Sequence, residues 1–252
     1  MSEKLSHPPI NELIIGVYFN PALLDLYTHH IGIFWQHIRD RYPRIEQRDP
    51  IGNLYVEAVN ELFPMPRYWF TSSDQSHLVQ VQRNAFFLNW RKRDTAYPSF
   101  DPVKAEFDRL YVLFAEFVHS INPEAQMNVD RAELSYVNQI DATDYWSGPP
   151  DTAAVIPSYQ PLGGHQPLGF NLQQTSRHDE RTHIVLALRN GAHKPDDIKT
   201  LIFEIRAVGV LGRATKAQAD EWFKTAHDLT GRTFQAVTNT DIRKRYWNKG
   251  GS

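Results

Sequence analysis

Cysteine is absent from the 252 residues of this chain. Its absence excludes disulfides, thiolate nucleophiles, iron–sulfur clusters and cysteine-ligated zinc, and leaves His, Asp and Glu as the available metal ligands. Long hydrophobic runs are missing as well. The longest apolar stretches are strand-sized, far below the ~18 residues that span a bilayer, and the opening Met-Ser-Glu-Lys-Leu-Ser-His-Pro-Pro has no signal-peptide core. A cytoplasmic protein with no membrane segment is the expectation. Neither sign of charge is in excess, with 27 basic against 29 acidic side chains. The resulting net charge of −2 argues against nucleic-acid binding over the whole surface and leaves local patches open. Familiar motifs are lacking too. Gly209 to Lys216 does not have the spacing of a phosphate loop, no Ser stands between glycines as a nucleophile elbow, and no HExxH occurs. No cofactor, metal or catalytic residue is expected on these grounds.

What is present has clear periodicity. Residues 10–19 are apolar nearly throughout and stop at Asn20-Pro21, which predicts a buried strand ended by a turn. Ile31, Phe34, Trp35, Ile38 and Tyr42 recur at helical steps, with Thr28 as N-cap and Pro43 beyond the end. Residues 44–66 read mainly as connection around a short helical stretch at 54–62. Three β segments follow at 67–71, 77–83 and 85–93. Val103, Phe107, Leu110, Tyr111, Phe114, Val118 and Ile121 then mark a long helix between Asp101-Pro102 and Asn122-Pro123.

The order of elements restarts after that helix: a strand at 132–140, a Pro/Gly-rich region at 145–169, and strands near 169–177, 182–190 and 200–210. Asn190-Gly191 reads as a turn, and a helix begins at about Ala217. Each half, about 8–124 and 128–240, therefore runs strand, helix or loop, three-strand meander and long helix, and a basic tail follows at 241–252. The expected fold is α+β. In it a single domain of two pseudo-repeated halves shares one curved antiparallel sheet with the helices on one face.

Strand alternation selects the first candidate residues. Gln80 and Gln82 share a face while Val79 and Val81 point the other way, and Phe87, Asn89, Arg91 and Arg93 likewise share a face. An open polar face bearing Gln80, Gln82, Asn89, Arg91 and Arg93 is a docking surface by composition; a solvated face of a one-sided sheet alternates in the same way. Asn138, on a central strand with Glu133 and Tyr136, either joins an internal network or faces a ligand. In the tail, Arg243, Lys244, Arg245 and Lys249 are interleaved with Tyr246 and Trp247, cations for phosphates and rings for bases. Solvated charge at a helix end gives the same pattern.

Metal-site candidates are weaker. His29, His30 and His37 share a helical region without a carboxylate, and His178, Asp179, Glu180 and His183 fall at a hairpin tip. Asp196 and Asp197 followed by Glu204 and Arg206 echo a restriction-type nuclease, with Arg in place of Lys. The leading expectation is a non-enzymatic binding module that engages a protein partner through the sheet face. Nucleic-acid binding through that face and Arg243, Lys244, Arg245 and Trp247 is the alternative, and a metal-dependent nuclease or hydrolase comes third.

Pro8-Pro9-Ile10, His30-Ile31-Gly32-Ile33-Phe34-Trp35, Val79-Gln80-Val81-Gln82-Arg83, Phe87-Leu88-Asn89-Trp90-Arg91 and Tyr136-Val137-Asn138 occur in this order. From Pro8 to about Trp247 the chain resembles a sporadically distributed family of uncharacterised bacterial and archaeal proteins of about this length. The resemblance implies no particular activity. Patchy distribution among microbes would suit mobile or defence-associated genes.

Overall fold

A computed structural model describes residues 5–51, 65–143, 145–193 and 198–248. The helical stretch read at 54–62 lies outside them. In chain order the described elements are β1 (Ile10–Phe19), α1 (Thr28–Ile38), β2 (Arg44–Arg48), β3 (Arg67–Thr71), β4 (His77–Gln82), β5 (Ala85–Arg91) and α2 (Phe100–Ile121). They continue with β6 (Val129–Asp141), α3 (Thr152–Val155), β7 (Asn171–Arg177), β8 (Thr182–His193), β9 (Ile198–Ala214), α4 (Lys216–Val237) and α5 (Thr240–Ile242). The fold is α+β, with an antiparallel sheet in the strand order β2-β3-β4-β5-β1-β6-β9-β8-β7.

Packing divides the chain into two compact units, neither of which is one half of the sequence. Unit 1 takes Met1–Leu13, Leu134–Val208 and Lys224–Ser252, and unit 2 takes Ile14–Glu133 and Gly209–Phe223.

In unit 2 one face of the sheet is aromatic and carries the helices. Phe86 of β5 stacks on Phe114 of α2 at 5.1 Å and meets Phe107 at 5.8 Å, while Phe34 of α1 meets Phe70 of β3 edge-on. These rings are buried, and each contributes roughly 1.5–3 kcal/mol by leaving water. The α2 stripe read from the sequence is this buried face. α1 begins at Thr28 with Tyr27 as its N-cap, so Thr28 is inside the helix, and the Tyr27 N–H donates to Nδ1 of His30. Lys104 and Lys216 alternate with Asp108 and Asp220 in a closed square of ion pairs, with Lys104 Nζ 2.6 Å and Lys216 Nζ 2.7 Å from Asp220 Oδ1.

One strand of unit 2 was not expected. β2 pairs residue by residue with β3, Arg44 opposite Thr71 through Arg48 opposite Arg67. Its sequence Arg-Ile-Glu-Gln-Arg has a single apolar side chain, and every residue of it is exposed. Such a strand is specified by its neighbour's free edge and not by its own periodicity.

Unit 1 has its own core of Ile140, Trp146, Val155, Ile156, Tyr159, Leu188, Leu201, Phe203, Ile205, Ile242 and Trp247. Asn190-Gly191 is no turn here: both lie within β8, and Asn190 Oδ1 accepts the Phe170 N–H at 2.7 Å. That side-chain bond ties the segment entering β7 to β8, and β8 runs through the dipeptide.

The basic tail is also built differently from the expectation. Arg243 is 7% exposed, and its Nη1 donates to Gln235 O at 2.7 Å, Thr238 O at 2.5 Å and Thr238 Oγ1 at 2.9 Å. It caps the C-terminal end of α4, where backbone carbonyls have no helical partner. Trp247 is buried as well, donating from Nε1 to the Tyr145 hydroxyl and packing on Phe234. Both are structural residues, which removes them from a nucleic-acid contact; only Lys244 and Arg245 of the four candidates in this tail are exposed. Arg243→Met is expected to destabilise the protein by about 2 kcal/mol, because it strands buried carbonyls; urea unfolding followed by tryptophan fluorescence measures it.

Candidate functional site

The other face of the unit 2 sheet carries the polar residues, and register explains what becomes of them. Gln80 of β4 lies directly between Trp69 of β3 and Phe87 of β5. Two large rings on its cross-strand neighbours cover a medium-sized amide. Gln80 is consequently 7% exposed, Asn89 4% and Gln82 3%. The expectation that these three amides present an open docking face is therefore corrected. Face parity was right, but the side chains are roofed over by their neighbours.

Their hydrogen bonds are internal. Gln82 donates to the Ile51 carbonyl at 2.6 Å and accepts the Ile51 N–H at 2.9 Å. Gln80 Nε2 donates to Asn89 Oδ1 at 2.7 Å, which leaves Gln80 Oε1 to accept from Arg67 Nη1 at 3.0 Å and Trp69 Nε1 at 3.1 Å. A buried amide pair thus fixes two side chains that lie further out. Arg91 is half-buried and Arg93 exposed.

The residues so positioned form a row of cations and rings. Arg48 sits 4.7 Å from the Trp69 ring and Arg67 5.4 Å from it. Arg131 of β6 lies 3.7 Å from the Tyr18 ring of β1, and Tyr18 meets Phe87 edge-on at 5.1 Å. Burial pushes the Arg67 pKa down, offset in part by Tyr18 and Asp49 and reinforced by the Arg48 charge. Tyr18 meets Phe87, and Phe87 lies opposite Gln80, so the Arg131 end adjoins the Gln80–Trp69–Arg67 end. A guanidinium stays protonated through such a shift.

Charge balance is where this row is unusual. Arg48 pairs with Glu46. Arg67 and Arg131 are both half-buried, the Nε–H of each is fully buried and donates to no partner among the described residues, and neither has a carboxylate within ion-pair distance among those residues. Phe87 packs directly over Gly16 of β1, where a Cβ would stand 1.9 Å from Phe87 Cδ1.

No family model and no curated protein matches this chain. The site therefore has to be read from its own chemistry.

Other candidates are dispersed or structural. Asn138 is fully buried, its Nδ2 donating to Phe203 O at 3.3 Å and Tyr136 O at 3.4 Å, so it is an internal residue of unit 1. Tyr136 pairs with His227, its hydroxyl 2.8 Å from Nδ1. At the β7–β8 tip, Asp179 Oδ1 accepts the N–H groups of Arg181 and Thr182, which makes the 178–183 cluster a turn. Among the described residues no group of three or more His, Asp or Glu is arranged to hold a metal ion. Asp196 and Asp197 lie outside the described residues; Glu204 accepts from Ser135 Oγ at 2.7 Å. Among those residues, too, no helix is long and apolar enough to cross a membrane.

Arg67, Trp69, Tyr18 and Arg131 were not singled out in the sequence. Arg67 and Trp69 share a face by simple alternation in Arg-Tyr-Trp-Phe-Thr, which was available as a signal. Their meeting with Gln80 depends on the register between two consecutive strands, and that of Tyr18 with Arg131 on two strands distant in sequence. Gln80→Leu is expected to cost about 1–2 kcal/mol in stability, since it removes the shared acceptor of Arg67 and Trp69 and leaves the Asn89 oxygen without that donor. Thermal unfolding compared with Gln80→Glu, which keeps the acceptor, checks the assignment.

Proposed function

We propose that this protein is a non-enzymatic binding module that holds a single-stranded nucleic acid on the unit 2 face built from Arg48, Arg67, Trp69, Tyr18 and Arg131. The observation that carries the reading is the pair of half-buried guanidiniums, Arg67 and Arg131, with no carboxylate within ion-pair distance among the described residues. Taking a charge partly out of water without a counter-charge is costly, and proteins seldom leave it so unless a ligand supplies the charge. A phosphate does so with paired, charge-assisted hydrogen bonds to a guanidinium. Trp69 and Tyr18 between the cations add flat surfaces on which bases stack.

The protein-partner reading rested on contacts by Gln80, Gln82, Asn89, Arg91 and Arg93, and burial withdraws those of the three amides. The near-neutral net charge fits a short, local contact and not a wrapped polyanion. A mobile or defence-associated setting, suggested by the family resemblance, is part of the same proposal. Titration of a labelled single strand against increasing salt tests it, with polyglutamate as competitor. Log affinity is expected to fall linearly with log salt, and polyglutamate is expected to compete poorly. Competition by polyglutamate as strong as by unlabelled strand would show that charge alone is recognised, and an acidic protein would then replace the nucleic acid.

A further inference from the structure

β7 and β2 are the two outer strands of the sheet, and they are guarded very differently. A sheet edge offers unpaired N–H and C=O groups to any extended chain, and proteins blunt such edges with charge, proline or brevity. β2 is five residues long and charged at Arg44, Glu46 and Arg48. If two copies paired β2 antiparallel about a two-fold axis at Glu46, Glu46 would face Glu46 and Arg44 would face Arg48. Like charges would oppose each other along the strand, and self-pairing is blocked.

β7 has no such protection. It is Asn-Leu-Gln-Gln-Thr-Ser-Arg, all seven residues are exposed, and the only charge is at its last position. On its inner side it pairs with β8 from Asn171 opposite Arg189 to Arg177 opposite His183. Its outer side has no partner strand among the described residues. In a two-fold pairing centred on Gln174, Gln173 of one copy meets Thr175 of the other, Leu172 meets Ser176, and Arg177 meets the neutral Asn171. No like charges meet at any position. Leu172 is 39% exposed and Leu168, just ahead of the strand, 96% exposed, so apolar surface adjoins the same edge.

We propose that β7 is a self-association edge, at which two copies of this chain pair antiparallel and extend the sheet by β-augmentation with two-fold symmetry. The inference is independent of the nucleic-acid reading, since no residue of the anionic-ligand row takes part.

Sedimentation velocity of the full chain over a wide concentration range tests it with two double variants, Gln173→Lys/Thr175→Lys and Gln173→Glu/Thr175→Glu. Both positions carry exposed edge side chains, where charge is well tolerated in a monomer. The wild type is expected to dimerise with increasing concentration. Each double variant alone should associate roughly tenfold or more weakly, because lysines or glutamates then face each other across the pairing. An equimolar mixture of the two should recover the dimer, since Lys now faces Glu. A wild type that stays monomeric at every concentration overturns the proposal. So does a dimer that the lysine variant leaves unchanged, or a mixture that fails to recover it.

Discussion

Replacing Glu106 with alanine is expected to lower the unfolding free energy by about 3 kcal/mol. Glu106 lies on the buried side of α2, 8% exposed, where it accepts from the Tyr42 hydroxyl at 2.7 Å and from Arg109 Nε and Nη2 at 2.9 Å each. Arg41 adds a longer contact at 3.3 Å. Arg41 and Arg109 are about half exposed and can turn to water, so their loss is modest. Tyr42 is fully buried, and its hydroxyl has no such escape. The cost is therefore concentrated on one stranded donor plus the vacated volume. Glu106→Gln keeps an acceptor for Tyr42 and should cost about 1 kcal/mol. The double change Tyr42→Phe with Glu106→Leu should recover part of the loss, because it removes both buried polar groups together. Urea denaturation of the four proteins separates these outcomes.

The same cluster sets the acid sensitivity of the fold. Burial alone would raise the Glu106 carboxyl, but hydrogen bonds from Arg109 and Tyr42 and the charge of Arg41 outweigh it and hold the pKa below the usual range. Its stabilisation is full above the unfolded carboxylate value of about 4.3 and is lost as pH falls through the folded value. His77 acts in the same direction. Its pKa is lowered by burial and then by Arg41, so the neutral ring is favoured in the fold. Its contribution is present above about 6.5 and declines as pH falls below that. Stability should thus drop in two stages on acidification, first below neutrality and again in the carboxylate range, and His77→Phe should remove the first.

Gly16→Val is the second large effect, about 3 kcal/mol or more from overpacking. The Cβ alone would reach 1.9 Å from Phe87 Cδ1 and 2.1 Å from Cε1, and Phe87 is 3% exposed with no room to withdraw. The displaced ring would push on Tyr18, its edge-on neighbour, and through it on Arg131. Ligand affinity should fall together with stability. Gly16→Ala with Phe87→Leu, which frees the clashing volume, should recover stability more than affinity, as thermal unfolding and strand titration on the same samples will show.

How much of this was legible in the sequence follows from which contacts are local. β1, β3, β4 and β5 start where they were read to start, because alternation and the flanking turn residues are local signals. β2 was missed because Arg-Ile-Glu-Gln-Arg carries no apolar row, and Asn190-Gly191 was misread because a side-chain bond to Phe170 overrides its turn preference. For the site, alternation assigned Gln80, Asn89 and Phe87 to one face correctly. It could not tell that Trp69 and Phe87 flank Gln80 in register and bury it, nor that Arg67 ends up on Trp69 and Arg131 on Tyr18 with no carboxylate within ion-pair distance among the described residues.

In the proposed function Arg67 and Arg131 are held for a phosphate and not for the fold. Measuring the salt dependence of single-strand binding for the wild type, Arg67→Gln and Arg131→Gln tests it most directly, with stability determined on the same proteins. Each substitution is expected to make the slope of log affinity against log salt shallower by about 0.7, the value of one lost phosphate contact on a single strand. Stability should be unchanged or slightly higher, because an uncompensated charge is removed. Unchanged slopes, or a loss of stability with binding intact, would contradict the account and make the two arginines part of the structural framework.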